Sequence, residues 1–222
     1  MTSPDQSPAA LDWRDGTTPV STRFDDPYFS MAGGLAETRH VFLRGNDLPA
    51  RFRPGFHIAE LGFGTGLNLI AAALAAGDVP VRYTSFEAFP MSGDEMDRAL
   101  RAFPEAHGAA APLIAAWGRG QRCFSLRAVQ VDIIAGDARD TLPIWDGRAD
   151  AWFLDGFSPA KNPELWGEDL MAQVARHTVP GGTFATYTAA GFVRRGLAAA
   201  GFTVDRVPGY AGKRHMSRGV LA

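Results

Sequence analysis

Four carboxylates in this sequence stand where short apolar runs end. Phe56-His57-Ile58-Ala59 leads into Glu60, Arg82–Phe86 into Glu87, Val129–Ala135 into Gly136-Asp137, and Ala149–Leu154 into Asp155. Strands of one parallel sheet that end this way place their acids along a single edge, outside the carboxyl ends of the strands, where open α/β sheets bind ligands. One charge can be stranded there by packing alone. A fourfold repeat is harder to assign to packing. The first acid also opens Glu60-Leu61-Gly62-Phe63-Gly64-Thr65-Gly66-Leu67-Asn68, with a glycine at every second position. Such glycines let the backbone come close to a ligand and offer bare N–H groups at the start of a helix.

The glycine spacing separates two kinds of ligand. A nicotinamide-type G-x-G-x-x-G turn needs its third glycine at position 67, where this chain has Leu67. An acid two residues before the first glycine repels a pyrophosphate but can receive an ammonium group. S-adenosylmethionine carries an amino acid and no phosphate, and it suits this turn. The cofactor-binding candidates are then Glu60, Gly62, Phe63, Gly64, Thr65, Gly66 and Asn68. Glu87 lies 21 residues after Gly66, the separation at which doubly wound folds place an acid on ribose hydroxyls. A solvated strand end is the plain alternative. Asp137 and Ala138 stand where many adenosine sites set a carboxylate against the adenine amino group, a weak signal when taken alone. Asp155 completes the set.

The elements that must position these residues follow from periodicity. Phe56–Leu61 reads as a strand, and the segment after the glycines as a helix to about residue 76, because the apolar period changes across the turn. Further strands are expected at Arg82–Glu87, Phe124–Leu126, Val129–Ala135, Ala149–Leu154, Thr183–Thr188, Phe202–Val207 and His215–Leu221. Helices are expected at Ser92–Phe103, Ala109–Trp117, Glu168–His177 and Gly191–Ala200, with Pro180-Gly181-Gly182 as the turn before the fifth main strand. Alternating strands and helices that end in two consecutive strands give a Rossmann-like, class I methyltransferase α/β fold. Its sheet is mostly parallel, with one antiparallel strand near the C-terminus. Residues 11–55 read as an N-terminal β extension, with strand character at Val20–Phe24 and Thr38–Leu43. Residues 1–10, rich in Pro, Ser and Ala, read as a disordered start. The organisation is thus a single domain over 11–222, with its core at 56–222.

Composition removes several classes. The 222 residues are 46% hydrophobic and 21% charged, ordinary for a globular domain, and no apolar run is long enough for a membrane span. A single cysteine, Cys123, excludes an intrachain disulfide and a cysteine-cluster zinc site. The five histidines lack ligand spacing, so no metal is expected, and the default setting is cytoplasmic. Net charge is −2, which argues against general nucleic-acid binding. From residue 190 onward, however, Arg194, Arg195, Arg206, Lys213, Arg214 and Arg218 face a single acid, Asp205. These can be solvated faces of a helix and two strands. Beside a cofactor site they also suit a polyanionic substrate.

Two strings carry a specific resemblance: the glycine turn at 60–68 and Asp155-Gly156-Phe157-Ser158-Pro159-Ala160-Lys161-Asn162-Pro163. Together with Phe24-Asp25-Asp26-Pro27-Tyr28-Phe29-Ser30, Glu37-Thr38-Arg39-His40-Val41-Phe42-Leu43 and the Ala189–Gly196 segment, they resemble the methyltransferase (MnmD-like) domain of the MnmC family of bacterial tRNA wobble-uridine modification enzymes. The likeness runs from about residue 12 to the end, with Ser158 where alanine is expected. The family's flavin-dependent second domain has no counterpart, so the chain is expected to be the stand-alone form, served by a separate enzyme that supplies the aminomethyl uridine. The resemblance implies N-methylation, from S-adenosylmethionine, of a 5-aminomethyl-(2-thio)uridine at the wobble position. The partner it implies is the tRNA anticodon stem-loop.

On that reading Asp155 is the catalytic candidate, orienting a neutral amine beside the departing methyl group. An aspartate near pKa ~3.9 is a poor general base for an alkylamine near ~10.4, so desolvation by aromatic neighbours has to lower the amine. Tyr28, Phe29 and Phe157 are the candidates for stacking a flipped-out base. Arg194, Arg195, Lys213 and Arg214 are the candidates for tRNA backbone contacts. Lys161 serves as a phosphate ligand or as a loop anchor. Two other readings share the glycine turn: a methyltransferase for a small-molecule or protein amine, and a methyltransferase-like binding module without turnover.

Overall fold

The structure, a computed structural model, describes residues 8–30 and 33–222. The expected disordered start falls largely on residues outside this description. Residues 8–10 lie against the domain, with Ala9 N–H donating to the Pro90 carbonyl at 3.3 Å.

The chain opens with a small antiparallel meander, β1 (Leu11–Arg14), β2 (Thr18–Ser21) and β3 (Asp26–Pro27). Helix α1 (Gly34–Thr38) follows and continues through a wide helical turn over Arg39–Leu43. The expected strand at Thr38–Leu43 is therefore wrong. Val41, Phe42 and Leu43 are all buried, and three consecutive buried apolar side chains do not fit an alternating strand with one wet face. A helical path turns all three into the core, and tertiary packing overrides the β preference of Thr38 and Val41.

The main sheet begins with β4 (Phe56–Leu61), followed by α2 (Leu67–Ala76) and β5 (Val81–Glu87). Next come α3 (Gly93–Leu100), α4 (Pro104–Gly118), β6 (Cys123–Leu126), β7 (Val129–Ala135) and α5 (Ala138–Thr141). The chain closes with β8 (Ala149–Leu154), α6 (Glu168–Arg176), β9 (Thr178–Thr186), α7 (Gly191–Ala199), β10 (Phe202–Pro208) and β11 (His215–Leu221). The strand order is β10-β11-β9-β8-β4-β5-β7-β6. Neighbours from β9 to β7 pair in parallel, whereas β11 is antiparallel to both β9 and β10, and β6 is antiparallel to β7. This is the expected Rossmann-like sheet, with its antiparallel strand near the C-terminus and a second one, β6, at the far edge.

Strand β2 covers Thr18–Ser21 rather than Val20–Phe24, α3 ends at Leu100 rather than Phe103, and two elements start five residues early. Helix α4 starts at Pro104 rather than Ala109, because proline is suited to a first helical turn that needs no N–H. Strand β9 starts at Thr178: Thr178 pairs with Ala149 and Thr183 with Ala151, so Pro180-Gly181-Gly182 forms an irregularity inside the strand.

Side-chain alternation divides the core between the two faces. Phe56, Ile58, Tyr83, Ala151 and Phe153 pack with α2, α3, α4 and the 41–43 turn; Ala59, Leu61, Phe86, Trp152 and Leu154 pack with α5, α6 and α7. By the same period of two, Glu60, Ser85, Glu87 and Asp155 belong to the first face, on the side of α2. The turn after residue 43 is fixed by Asn46, which is fully buried. Its Nδ2 donates to the Phe42 and Trp152 carbonyls at 2.9 and 3.2 Å, and its Oδ1 accepts from Thr183 Oγ1 at 2.6 Å. Asn46→Ala removes these three hydrogen bonds from the core and is expected to cost ~2–3 kcal/mol of stability. Urea denaturation checks this, as a lower midpoint at unchanged slope.

Candidate functional site

At the carboxyl ends of β4, β5, β7 and β8 lies a cleft of about 510 Å³. That is within the usual size of a small-ligand site. The glycine turn forms one wall. Gly62, Gly64 and Gly66 have φ of +80°, +53° and +76°, a region that favours glycine. A Cβ on Gly62 would lie 3.2 Å from Gly156 Cα, and one on Gly64 would lie 3.1 Å from the Tyr28 ring. The bare backbone is thus a steric requirement, and the first turn of α2 opens directly behind it.

Behind the turn, a single amide joins two carboxylates. Asn68, in that first turn, donates from Nδ2 to Glu60 Oε1 at 2.8 Å and to Asp155 Oδ2 at 2.7 Å. Its Oδ1 accepts from Thr38 Oγ1 at 2.9 Å, so every hydrogen-bonding group of the amide is used. Glu60 also accepts from Ser85 Oγ at 2.7 Å and is fully buried. It lies beneath the cleft rather than on its wall, and burial pushes its pKa well above the usual carboxylate range. Asp155 is on the wall. Its Oδ1 accepts from Gly156 N–H at 2.9 Å, and burial raises its pKa to about 6 against the opposing pull of the Asn68 and Gly156 hydrogen bonds.

The other two strand-end acids behave differently. Glu87 Oε2 accepts from Gly64 N–H at 2.8 Å and Oε1 from Phe89 N–H at 2.7 Å, so it braces the glycine turn while lining the cleft. Burial raises its pKa. Asp137 caps α5 and is gripped by Arg139, whose Nε and guanidinium NH2 groups donate to it at 3.0 and 2.6 Å, and this lowers its pKa. Arg139 also pairs with Glu164 at 3.0 Å. Ala138 lines the cleft beside Asp137.

A group of aromatic rings lines part of the cleft. Phe157 stacks on Phe24 with centroids 4.6 Å apart and meets Tyr28 edge-on at 4.9 Å, while Phe29 meets Phe103 edge-on at 4.8 Å. Tyr28, Phe29 and Phe157 all line the cleft. Burial and the Glu87 charge push the Tyr28 hydroxyl upward, so it stays protonated. The loop carrying Phe157 is tied to the meander: Ser158 N–H donates to Asp26 Oδ2 at 2.8 Å, and Lys161 pairs with Asp25 at 2.6 Å. Lys161 thereby ties its loop to Asp25.

The structure thus brings Gly62, Phe63, Gly64, Thr65, Asn68, Glu87, Asp137, Ala138, Asp155, Tyr28, Phe29, Phe157 and Lys213 to one cleft. Gly66 and Glu60 lie behind it, and Arg194, Arg195 and Arg214 lie outside its walls. A Cβ on Gly66 would meet Leu113 and Phe63 instead. Sequence reasoning gave no site role to Glu37, Thr38 or Tyr187, and it took Phe24 only as part of the Phe24–Ser30 string. Tyr187, just past β9, donates to the Gly156 carbonyl at 2.8 Å. Thr38 opens the segment misread as a strand, and Glu37 stands just before it.

The family of S-adenosyl-L-methionine-dependent methyltransferases matches residues 104–222. The chain is 46% identical over 231 residues to the tRNA 5-methylaminomethyl-2-thiouridine biosynthesis bifunctional protein MnmC of Chromobacterium violaceum, covering 97% of this chain and 35% of that protein. It is 47% identical over 232 residues to the protein of the same name from Caulobacter sp. (strain K31), covering 96% and 38%. The chain therefore spans about a third of the length of these curated relatives. The crystal structure of MNMC2 from Aquifex aeolicus superposes with a TM-score of 0.77 at 27% identity, covering 98% of this chain and 72% of that one.

Asp155 yields a direct test. Its folded pKa lies above the unfolded value near ~3.9, so the ionised side chain costs stability at neutral pH. That cost is relieved as pH falls from about 6 toward the unfolded value. Carbon-detected NMR of the ligand-free protein should show this carboxyl titrating near pH 6. Asn68→Leu should move the midpoint higher, because it removes a hydrogen bond that favours the ionised form.

Proposed function

The chain belongs to the family of S-adenosyl-L-methionine-dependent methyltransferases, and from that premise we propose that it N-methylates the 5-aminomethyl group of a wobble-position uridine, with or without 2-thiolation, in tRNA. The observation that carries the reading is Asp155. It is a cleft-wall carboxylate held by Asn68 and Gly156, next to the bare glycine turn and in one cleft with the Phe24–Tyr28–Phe157 group. The substrate class is supported by the MnmC relatives, which align along 96–97% of the chain. The reading includes the anticodon stem-loop as partner, a separate activity that supplies the free amine, and a cytoplasmic setting. No helix among the described residues is long and apolar enough to cross a membrane.

The residues present fit the cofactor. A Cβ on Gly62 or Gly64 would crowd the turn, and the acids beside it suit an ammonium and ribose hydroxyls rather than a pyrophosphate. The Gly62–Gly64 backbone, Glu87 and Asp155 would hold it, with Asn68 positioning Asp155 and with Asp137 and Ala138 toward the adenine. When bound, it supplies an electrophilic methyl group on positively charged sulfur. The chain's own residues do the rest. Asp155 accepts a hydrogen bond from the acceptor amine and orients its lone pair. In water, an alkylammonium near ~10.4 would not give its proton to an aspartate near ~3.9. In the cleft, the burial that raises Asp155 to about 6 lowers any ammonium beside it, so the two values converge from both sides. Phe157 and Tyr28 exclude water from that pairing and offer ring surface to a base turned out of its stack.

Nucleoside mass spectrometry of amine-bearing tRNA, incubated with the protein and S-adenosylmethionine, should show a 14-Da gain on the wobble uridine, the mass of one methylene. Asp155→Asn should lower the rate by at least ~100-fold with cofactor affinity reduced far less. No gain on tRNA, with transfer to a free amine instead, would favour a small-molecule acceptor. Arg194→Gln combined with Arg195→Gln should weaken tRNA binding and lower its salt dependence by about one to two counterions. Filter binding across a salt series measures both.

A further inference from the structure

Glu37 takes no part in the mechanism above, yet it is a buried acid lining the cleft. It projects from α1, its side chain is only 10% exposed, and its Oε1 lies 2.7 Å from Lys213 Nζ. Lys213 comes from the segment between β10 and β11, where Lys213 N–H bonds back to the Tyr210 carbonyl. Its ammonium also lies 4.6 Å from the centroid of the Tyr187 ring. Glu37, Tyr187 and Lys213 line the same cleft as Asp155, and the Glu37 and Lys213 charges act on Asp155 with opposite signs. The neighbouring Thr38 holds Asn68, which holds Asp155.

A carboxylate this sheltered needs a cation. The cation it has is a primary ammonium on a methylene, seated over an aromatic face. That terminal group, CH2–NH3+, is the same as that of a 5-aminomethyl substituent. The two partners are unequal in mobility: Glu37 rises from a buried helix, whereas Lys213 is exposed and follows Gly212, which has open space around it. An incoming amine can therefore replace Lys213 at Glu37, while Lys213 swings toward solvent, where a nucleic-acid phosphate would meet it.

Resting on the aminomethyl-uridine reading, we propose that the Glu37 carboxylate is the counter-ion that selects a cationic acceptor, and that the Lys213 ammonium keeps its place until the acceptor arrives. Glu37 is then a substrate-binding residue that fixes specificity, and Lys213 an internal competitor rather than only a backbone contact. The proton on the acceptor still has to leave before methylation, toward Asp155 as above.

The test compares two tRNAs that differ only at the wobble uridine, one 5-aminomethyl and one 5-hydroxymethyl. Each is titrated into the protein saturated with S-adenosylhomocysteine. Backbone contacts are common to both, and an inactive fraction of a variant affects both alike, so the ratio of affinities isolates the ammonium. The wild-type protein should favour the amine about tenfold, the worth of one charge-assisted hydrogen bond. Glu37→Gln should bring the ratio to within about twofold of unity with S-adenosylhomocysteine affinity unchanged, and Lys213→Met should raise the ratio above wild type. A ratio that survives Glu37→Gln, a ratio that falls with Lys213→Met, or a parallel loss of S-adenosylhomocysteine affinity in Glu37→Gln would overturn the inference while leaving wobble methylation intact. A wild-type protein that binds neither tRNA and methylates no wobble amine would instead overturn the underlying reading, and this inference with it.

Discussion

One buried and one half-buried carboxylate share one amide, and the cleft is built around that fact. Asn68 can satisfy Glu60 and Asp155 together only because Thr38 takes its oxygen and fixes which end of the amide carries the donors. Desolvation and the neighbouring Asp155 charge push Glu60 up, while its bonds from Ser85 and Asn68 pull it down only in part. Negative charge is thereby concentrated on the member that faces the ligand. The amide also ties three separate segments to one point, since Thr38 ends α1, Glu60 belongs to β4 and Asp155 follows β8. A shift in any of them is felt at the other two.

The N-terminal region completes the cleft from the outside. Asp25 and Asp26, in and beside the short strand β3, grip Lys161 and Ser158 on the loop that carries Phe157. The meander is itself fastened to α3, with the Arg98 guanidinium 3.9 Å from the Trp13 ring and Arg98 Nε donating to the Gly16 carbonyl at 2.7 Å. The aromatic group is consequently held on both sides. Its rings meet at stacked and edge-on angles that leave apolar surface toward the cleft, and that surface is what strengthens every charge interaction inside.

Much of this could be read from the chain because it follows from periodicity. The strand-end acids, the glycine turn and the antiparallel closing strand all depend on local patterns that survive folding. Parity set the limit. Glu60 was placed on the cofactor from its spacing to the glycines, yet a strand residue one place before the end turns toward the helix packed on that face, and Asn68 meets it there. Asp137 was legible as a strand-end acid, but nothing local shows that Arg139 would occupy it. Glu37 and Thr38 were hidden for a further reason. Their segment has strand-like residues, and only the burial of Val41, Phe42 and Leu43 against a distant sheet makes it helical. Tyr187 and Phe24 reach the site through contacts 31 and about 130 residues away in sequence, which no pattern encodes.

The chemistry that follows is more a matter of medium than of a strong base. A methyl transfer to an amine needs the amine neutral, and an anion alone would favour the protonated form. A fully solvated Asp155 would thus hold the acceptor in its unreactive state. Burial reverses this balance, because removing water penalises the carboxylate and the ammonium together, while a neutral acid beside a neutral amine loses little. The value of about 6 for Asp155 is a visible sign of that medium, read on the protein's own side of the pair. On the proposed reading, the aromatic rings, the satisfied amide and the acids beside the glycine turn all serve one end: a cationic group is drawn in by charge and then made reactive by the loss of water.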